Sequence, residues 1–221
     1  MKKISASFCL CLIFHVCFCQ SPGLRIGPTL GLSQSMFAPL PGITQESKAA
    51  LSGGLSFSDQ LNRNVGFETE VLFSNRGSLI EGTKTDGTDL FGNPKNYTYT
   101  DNYRLLYTDI PLLLKLSLGI GSLHFKAIGG VSANFNMYST VTRRYDDPDY
   151  NASNSYRIPL DHVQFFQLAA VYGLGFEAEN AQNNIFSLDI RANNDLTPLG
   201  KVDGKLAYSN WFGIHFGFLF L

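Results

Sequence analysis

The sequence predicts an all-β chain, an eight-stranded antiparallel up-and-down transmembrane β-barrel, and three observations predict it. After residue 20 the apolar residues recur with period two, as in strands whose two faces meet different surroundings. No stretch there approaches the ~18 to 20 consecutive apolar residues of a membrane-spanning helix. The connections between the alternating segments are short and long by turns, the layout of an outer-membrane barrel with short periplasmic turns and long outer loops. Composition agrees: 16% of the 221 residues are charged, against about 25% in soluble domains. The 21 glycines, 18 phenylalanines and 10 tyrosines fill the difference. With 17 basic and 18 acidic residues, the chain lacks the basic excess of a nucleic-acid-binding protein, and its aromatic content excludes disorder.

The elements follow in order. Residues 1–19 read as a signal peptide: Lys2 and Lys3 open it, Cys9 to Phe18 is its apolar core, and Cys17 and Cys19 stand at the cleavage positions. The mature barrel domain is then 20–221, with 15 basic groups against 18 acidic ones and a net charge of −3. Cys9, Cys11, Cys17 and Cys19 all leave with the leader, which excludes disulfides, thiolate metal sites and cysteine nucleophiles. A rival reading makes Cys17 or Cys19 a lipidated first residue, but Val16 and Phe18 occupy positions where a small residue should precede it. Eight strands are expected near 23–33, 48–58, 64–74, 104–118, 122–138, 163–178, 185–192 and 207–221. Short turns fall at 59–63, 119–121 and 179–184, and long polar loops at 34–47, 75–103, 139–162 and 193–206. Alternation marks the fifth strand, with Leu123, Phe125, Ala127, Val131, Ala133, Phe135 and Met137 on one face, and His124, Lys126, Ser132, Asn134 and Asn136 on the other, and it is clearest in the last. In the eighth, Phe212, Ile214, Phe216, Phe218 and Phe220 oppose Gly213, His215 and Gly217.

Alternation alone leaves the direction of the faces open, and a soluble or lipid-anchored lipocalin-like carrier barrel, apolar inside, is the alternative. The polar face carries Gly27, Gly31, Gly54, Gly66, Gly173, Gly175, Gly213 and Gly217, which suit the crowded lumen of a narrow barrel. It also carries Arg25, Lys48, Lys115, Lys126 and Arg191 against Glu68, Glu70, Asp109, Glu177 and Asp189. With His124 and His215 these form the expected polar network of the lumen, balanced in sign because unpaired buried charge is costly. All tyrosines except Tyr172, with Trp211, fall in or beside the long connections and suggest an outer aromatic girdle. Phe57, Phe125, Phe176, Phe186 and Phe218 would make the periplasmic one.

Residues 107–115, Y-T-D-I-P-L-L-L-K, resemble the fourth-strand signature of the PorT-like outer-membrane barrel family, and the start at 23–31 and the Phe-rich end are similar to it too. The resemblance covers the mature chain and implies a barrel associated with type IX protein secretion. At Pro111, which lacks an N–H, a bulge or bend is expected.

No catalytic motif emerges. Asp109, Ser122, His124, Asp161, His162 and His215 could supply acid, base and nucleophile to an outer-membrane hydrolase, but no spacing among them matches a known arrangement. Asp146, Asp147 and Asp149 lack the glycine and distal glutamate of a calcium loop, so neither metal nor cofactor is expected. The long loops concentrate Tyr and Arg, as protein-binding surfaces do. Arg143, Arg144, Tyr145, Tyr150 and Tyr156 are therefore the expected partner contacts. The sequence thus points to a bacterial outer-membrane barrel, exported by a cleaved signal peptide, in contact with outer-membrane lipid. It is expected to act as an interaction or assembly component rather than an enzyme or an open pore.

Overall fold

The computed structural model describes residues 23–38, 44–88, 94–147, 152–159, 163–202 and 205–220. They form β1 (Arg25–Phe37), β2 (Thr44–Gln60), β3 (Val65–Arg76), β4 (Ser78–Thr88), β5 (Pro94–Ile120), β6 (Leu123–Asp147), β7 (Ala152–Pro159), β8 (Phe166–Glu179), β9 (Ile185–Asp195), β10 (Gly200–Val202), β11 (Lys205–Ala207) and β12 (Ser209–Leu219). β3 and β4 continue one another past Gly77, both lying between β2 and β5. β7 and β8 occupy successive stretches of the same side of β6. The result is the expected eight-stave antiparallel ring, closed where β1 pairs with β12 from Thr29↔Gly217 to Phe37↔Ser209. Closure removes the sheet edges, so every backbone group at membrane depth can pair within the ring.

Three tight turns join the staves at the end that holds both described termini, and local chemistry shapes each. Asn62 Oδ1 accepts the N–H groups of Asn64 and Val65, both at 2.9 Å. Gly121 takes the left-handed conformation at φ 68° between β5 and β6. Asn180 Oδ1 accepts the N–H groups of Gln182 and Asn184, and Asn183 sits at φ 63°. At the other end the structure corrects the expected loops. Within 75–103 and 139–162, β4 runs from Ser78 to Thr88, β5 begins at Pro94, β6 continues to Asp147 and β7 spans Ala152 to Pro159. These are paired hairpins that prolong the wall of the barrel, with β5 and β6 paired from Thr98↔Asp146 to Ile120↔Leu123.

Two further expectations are corrected. Register is unbroken across Pro111, so no bulge forms there: Thr69↔Leu112 and Leu72↔Asp109 lie on one ladder, which opens between them. Pro111 has no N–H to give, and the Thr69 hydroxyl donates to its carbonyl at 2.8 Å. The bulge lies instead at Leu106/Tyr107, where Tyr138 and Asn136 are the successive partners and Met137 is the extra residue. The tyrosine girdle is thinner than expected, because Tyr103 and Tyr107 point inward and are buried, and Trp211 stacks on His215. Tyr172 is half-exposed on the outer wall.

Outward side chains make an apolar belt that includes Leu30, Leu51, Phe73, Leu112, Val131, Leu174, Ile190 and Phe216, each between 50 and 66% exposed. Near the short-turn rim, Phe125 packs on Phe176 and Phe186 on Phe218, with ring centroids 5.6 and 4.6 Å apart. The inward face is polar: Glu68, Glu70, Lys115, Lys126, Asp189 and Arg191 are all buried.

Candidate functional site: the lumen and the outer mouth

The strands bring inward charges from opposite walls into one network. Arg191 of β9 donates to Glu70 Oε2 and Glu68 Oε1, both at 2.7 Å, and to Asp189 Oδ2 at 2.8 Å. Lys126 of β6 lies 3.1 Å from Glu68 Oε2, 2.9 Å from Asp189 Oδ2 and 3.6 Å from Glu177 Oε1. Lys115 of β5 donates to Glu177 Oε1 at 3.1 Å and to Ser58 Oγ at 2.9 Å. Each cation thus contacts at least one carboxylate across the lumen, which offsets the desolvation of charges held at membrane depth. Small residues make the room. A Cβ on Gly31 would stand 2.8 Å from the His215 ring, so only glycine lets the imidazole lie there.

Toward the outer mouth a second cluster centres on Arg76. Its Nη2 lies 2.6 Å from Asp109 Oδ2, its Nη1 4.0 Å from Asp195 Oδ1, and its guanidinium 4.8 Å over the Tyr107 ring. Between the clusters is a cavity of about 10 Å³ bordered by Arg76, Asp109, Arg191, Asn193, Trp211 and His215, about the size of one water. Above, Phe37, Ile80, Tyr103, Leu105, Tyr107, Val141, Leu199 and Ala207 form a buried apolar cluster. Leu199 and Ala207 come from the segment between β9 and β12, which folds over the mouth. Leu199 N–H donates to Ala207 O at 2.7 Å, and Ala38 N–H to Tyr208 O at 2.8 Å. At the other end a 240 Å³ vestibule is bordered by Arg25, Gln60, Arg63, His124 and Glu179.

Of the expected lumen residues, Glu68, Glu70, Lys115, Lys126, Glu177, Asp189 and Arg191 meet in the central network, and Asp109 pairs with Arg76. Arg25 stands apart at the rim, 2.6 Å from Glu179, and His124 borders the vestibule. His215 is buried beside the network but stacks on Trp211, with ring centroids 5.3 Å apart. Lys48 does not join the network: its ammonium donates to Asn102 Oδ1 at 2.6 Å and Tyr103 O at 3.3 Å. Sequence reasoning missed Arg76, Asp101 and Asp195, all buried.

At the outer hairpins, Arg143 donates to Asp101 through Nε at 2.6 Å and Nη2 at 2.5 Å, and its guanidinium lies 4.7 Å over the Tyr99 ring. Arg144 is exposed. Tyr145 and Tyr156 are placed in the β6–β7 ladder, as partners of Asn154 and Arg143, while Tyr150 lies outside the described residues. Among the hydrolase candidates, Asp161 and His162 also lie outside them. The structure separates His124, at the vestibule, from His215 and Asp109, deep in the barrel.

A family model described as an outer membrane protein beta-barrel domain matches residues 18–200. No curated protein matches the chain. Among solved structures, OprG from Pseudomonas aeruginosa is 12% identical, with a TM-score of 0.48 over 89% of this chain and 94% of that one. Neisserial surface protein A is 11% identical, with a TM-score of 0.45 over 88% and 97% of the two chains. The attachment invasion locus protein Ail of Yersinia pestis is 13% identical, with a TM-score of 0.40 over 90% and 99%.

Proposed function

The chain belongs to the outer membrane protein beta-barrel domain family, and from that premise we propose that this bacterial outer-membrane barrel is a non-enzymatic interaction or assembly component, with its working surface on the raised outer hairpins. The observation that carries this reading is the division of the molecule. Buried ion pairs and an apolar cluster occupy the lumen, while β4 to β7 extend the wall beyond the apolar belt. From Pro94 to Arg104, β5 alone adds roughly 35 Å of strand. Nothing about enclosing a lumen needs that extension, and surfaces of this kind serve recognition. Within it, Arg143, Arg144, Tyr145, Tyr150 and Tyr156 are the proposed contacts.

Residues 1–19 would direct export and be removed, leaving Gln20 first. The resemblance of 107–115 to the PorT-like signature makes a type IX-like secretion apparatus the first place to seek a partner. The carrier alternative finds no support in an outward face this apolar.

The test is replacement of residues 145–157 by a tight turn. The barrel should still fold and migrate anomalously when unheated, while co-purification of partners from gently solubilised membranes is lost. Retention of every partner by the shortened barrel would move the working surface elsewhere.

A further inference from the structure

At the outer margin of the apolar belt the wall carries two cations, Lys48 and Arg104, with no carboxylate partner among the described residues. On the staves around them large apolar residues face outward as far as Met36 of β1, Leu51 of β2, Phe73 of β3 and Leu106 of β5, each at least 37% exposed. One step closer to the cell exterior the outward positions are Ala49, Asn75 and Arg104, and the next on β5 is Asn102. Lys48 arrives at the same level from β2. Its chain crosses the wall at Gly77, where a Cβ would meet Lys48 Cδ at 3.3 Å, and its ammonium reaches Asn102 Oδ1. The same ammonium donates to Tyr103 O at 3.3 Å, which sets it beside the backbone of Arg104.

Among the described residues neither Lys48 nor Arg104 has a carboxylate within 4.0 Å, whereas Arg25, Arg76, Lys115, Lys126, Arg143 and Arg191 all do. Two like charges thus share one stretch of the outer wall, and an anion between them would offset their repulsion. Depth selects the anion. Residues immediately past the belt sit among headgroups, and the outer leaflet of a bacterial outer membrane is built of phosphorylated glycolipid. Basic residues at that level bind lipid phosphates through charge-assisted hydrogen bonds. We propose that Lys48, Arg104 and the Asn102 side chain form a binding site for a phosphate group of an outer-leaflet lipid headgroup.

The experiment uses the full mature barrel in zwitterionic detergent, with bis-phosphorylated lipid A as probe and retained lipid read by native mass spectrometry. The Lys48→Gln/Arg104→Gln double variant should bind about twenty-five-fold more weakly, each lost charge at an anionic surface removing about a factor of five. Dephosphorylated lipid A should bind both proteins alike. Equal retention of the phosphorylated lipid by wild type and variant would overturn the site. Full displacement by millimolar inorganic phosphate would overturn the lipid source and leave a soluble-anion site. If the double variant loses its heat-modifiable migration, Arg104→Gln alone serves, because Lys48 keeps its bond to Asn102. A loss of about fivefold then supports the site, and none overturns it.

Discussion

Arg191 shows how unevenly the ion pairs contribute. Its three carboxylate partners are buried with it, so Arg191→Ala leaves uncompensated charge and should cost about 3 to 5 kcal/mol in urea unfolding from lipid vesicles. Arg25→Ala removes a pair whose side chains are 20% and 30% exposed, and should cost under about 1 kcal/mol in the same measurement. Ile214 tests the opposite face: Arg there, in the apolar belt, should cost about 2 to 4 kcal/mol. These contrasts were largely legible in the sequence, because strand parity alone sorts Glu68, Lys126 and Arg191 from Ile214. Arg76, Asp101 and Asp195 were not, and the reason is local. Each lies at most three residues beyond the strand end that hydropathy suggests, where alternation fades although the strand goes on. Tyr107 was misplaced for want of the same argument, since it shares parity with the inward Asp109.

At the scale of elements, the raised hairpins were the least readable part. Period-two hydropathy marks a strand only where one face meets lipid or a core and the other does not. Above the membrane both faces of β4 to β7 can meet water, so Thr, Asp, Asn and Tyr replace the alternation and the stretch reads as loop. The pairing of β5 with β6 from Thr98↔Asp146 downward makes these hairpins extensions of one wall rather than separate appendages. Shortening the β6–β7 hairpin at 145–157 should therefore shift the unfolding midpoint little, because the ladder below stays intact, while removing partner capture. Circular dichroism in vesicles and a pull-down report the two outcomes separately.

For the whole molecule, the stacked ion pairs and the apolar cluster that Leu199 and Ala207 complete predict negligible conductance in planar bilayers, since eight staves enclose only enough space for side chains. A steady single-channel current of porin size would contradict that packing. Ring closure between β1 and β12 carries a different consequence. The first and last staves meet across a sequence separation of 187 residues, as in the bond from Thr29 to Phe216 O. During synthesis β1 is made first and must wait for the final stave, and until then both β1 and β9 show an open edge. Closure is thus a proofreading step for completeness: a prematurely terminated chain cannot seal itself, however well its other hairpins form. A chain ending before residue 209 should be digested by periplasmic proteases while the full-length chain survives beside it, so the last stave acts as the certificate that the message was read to its end.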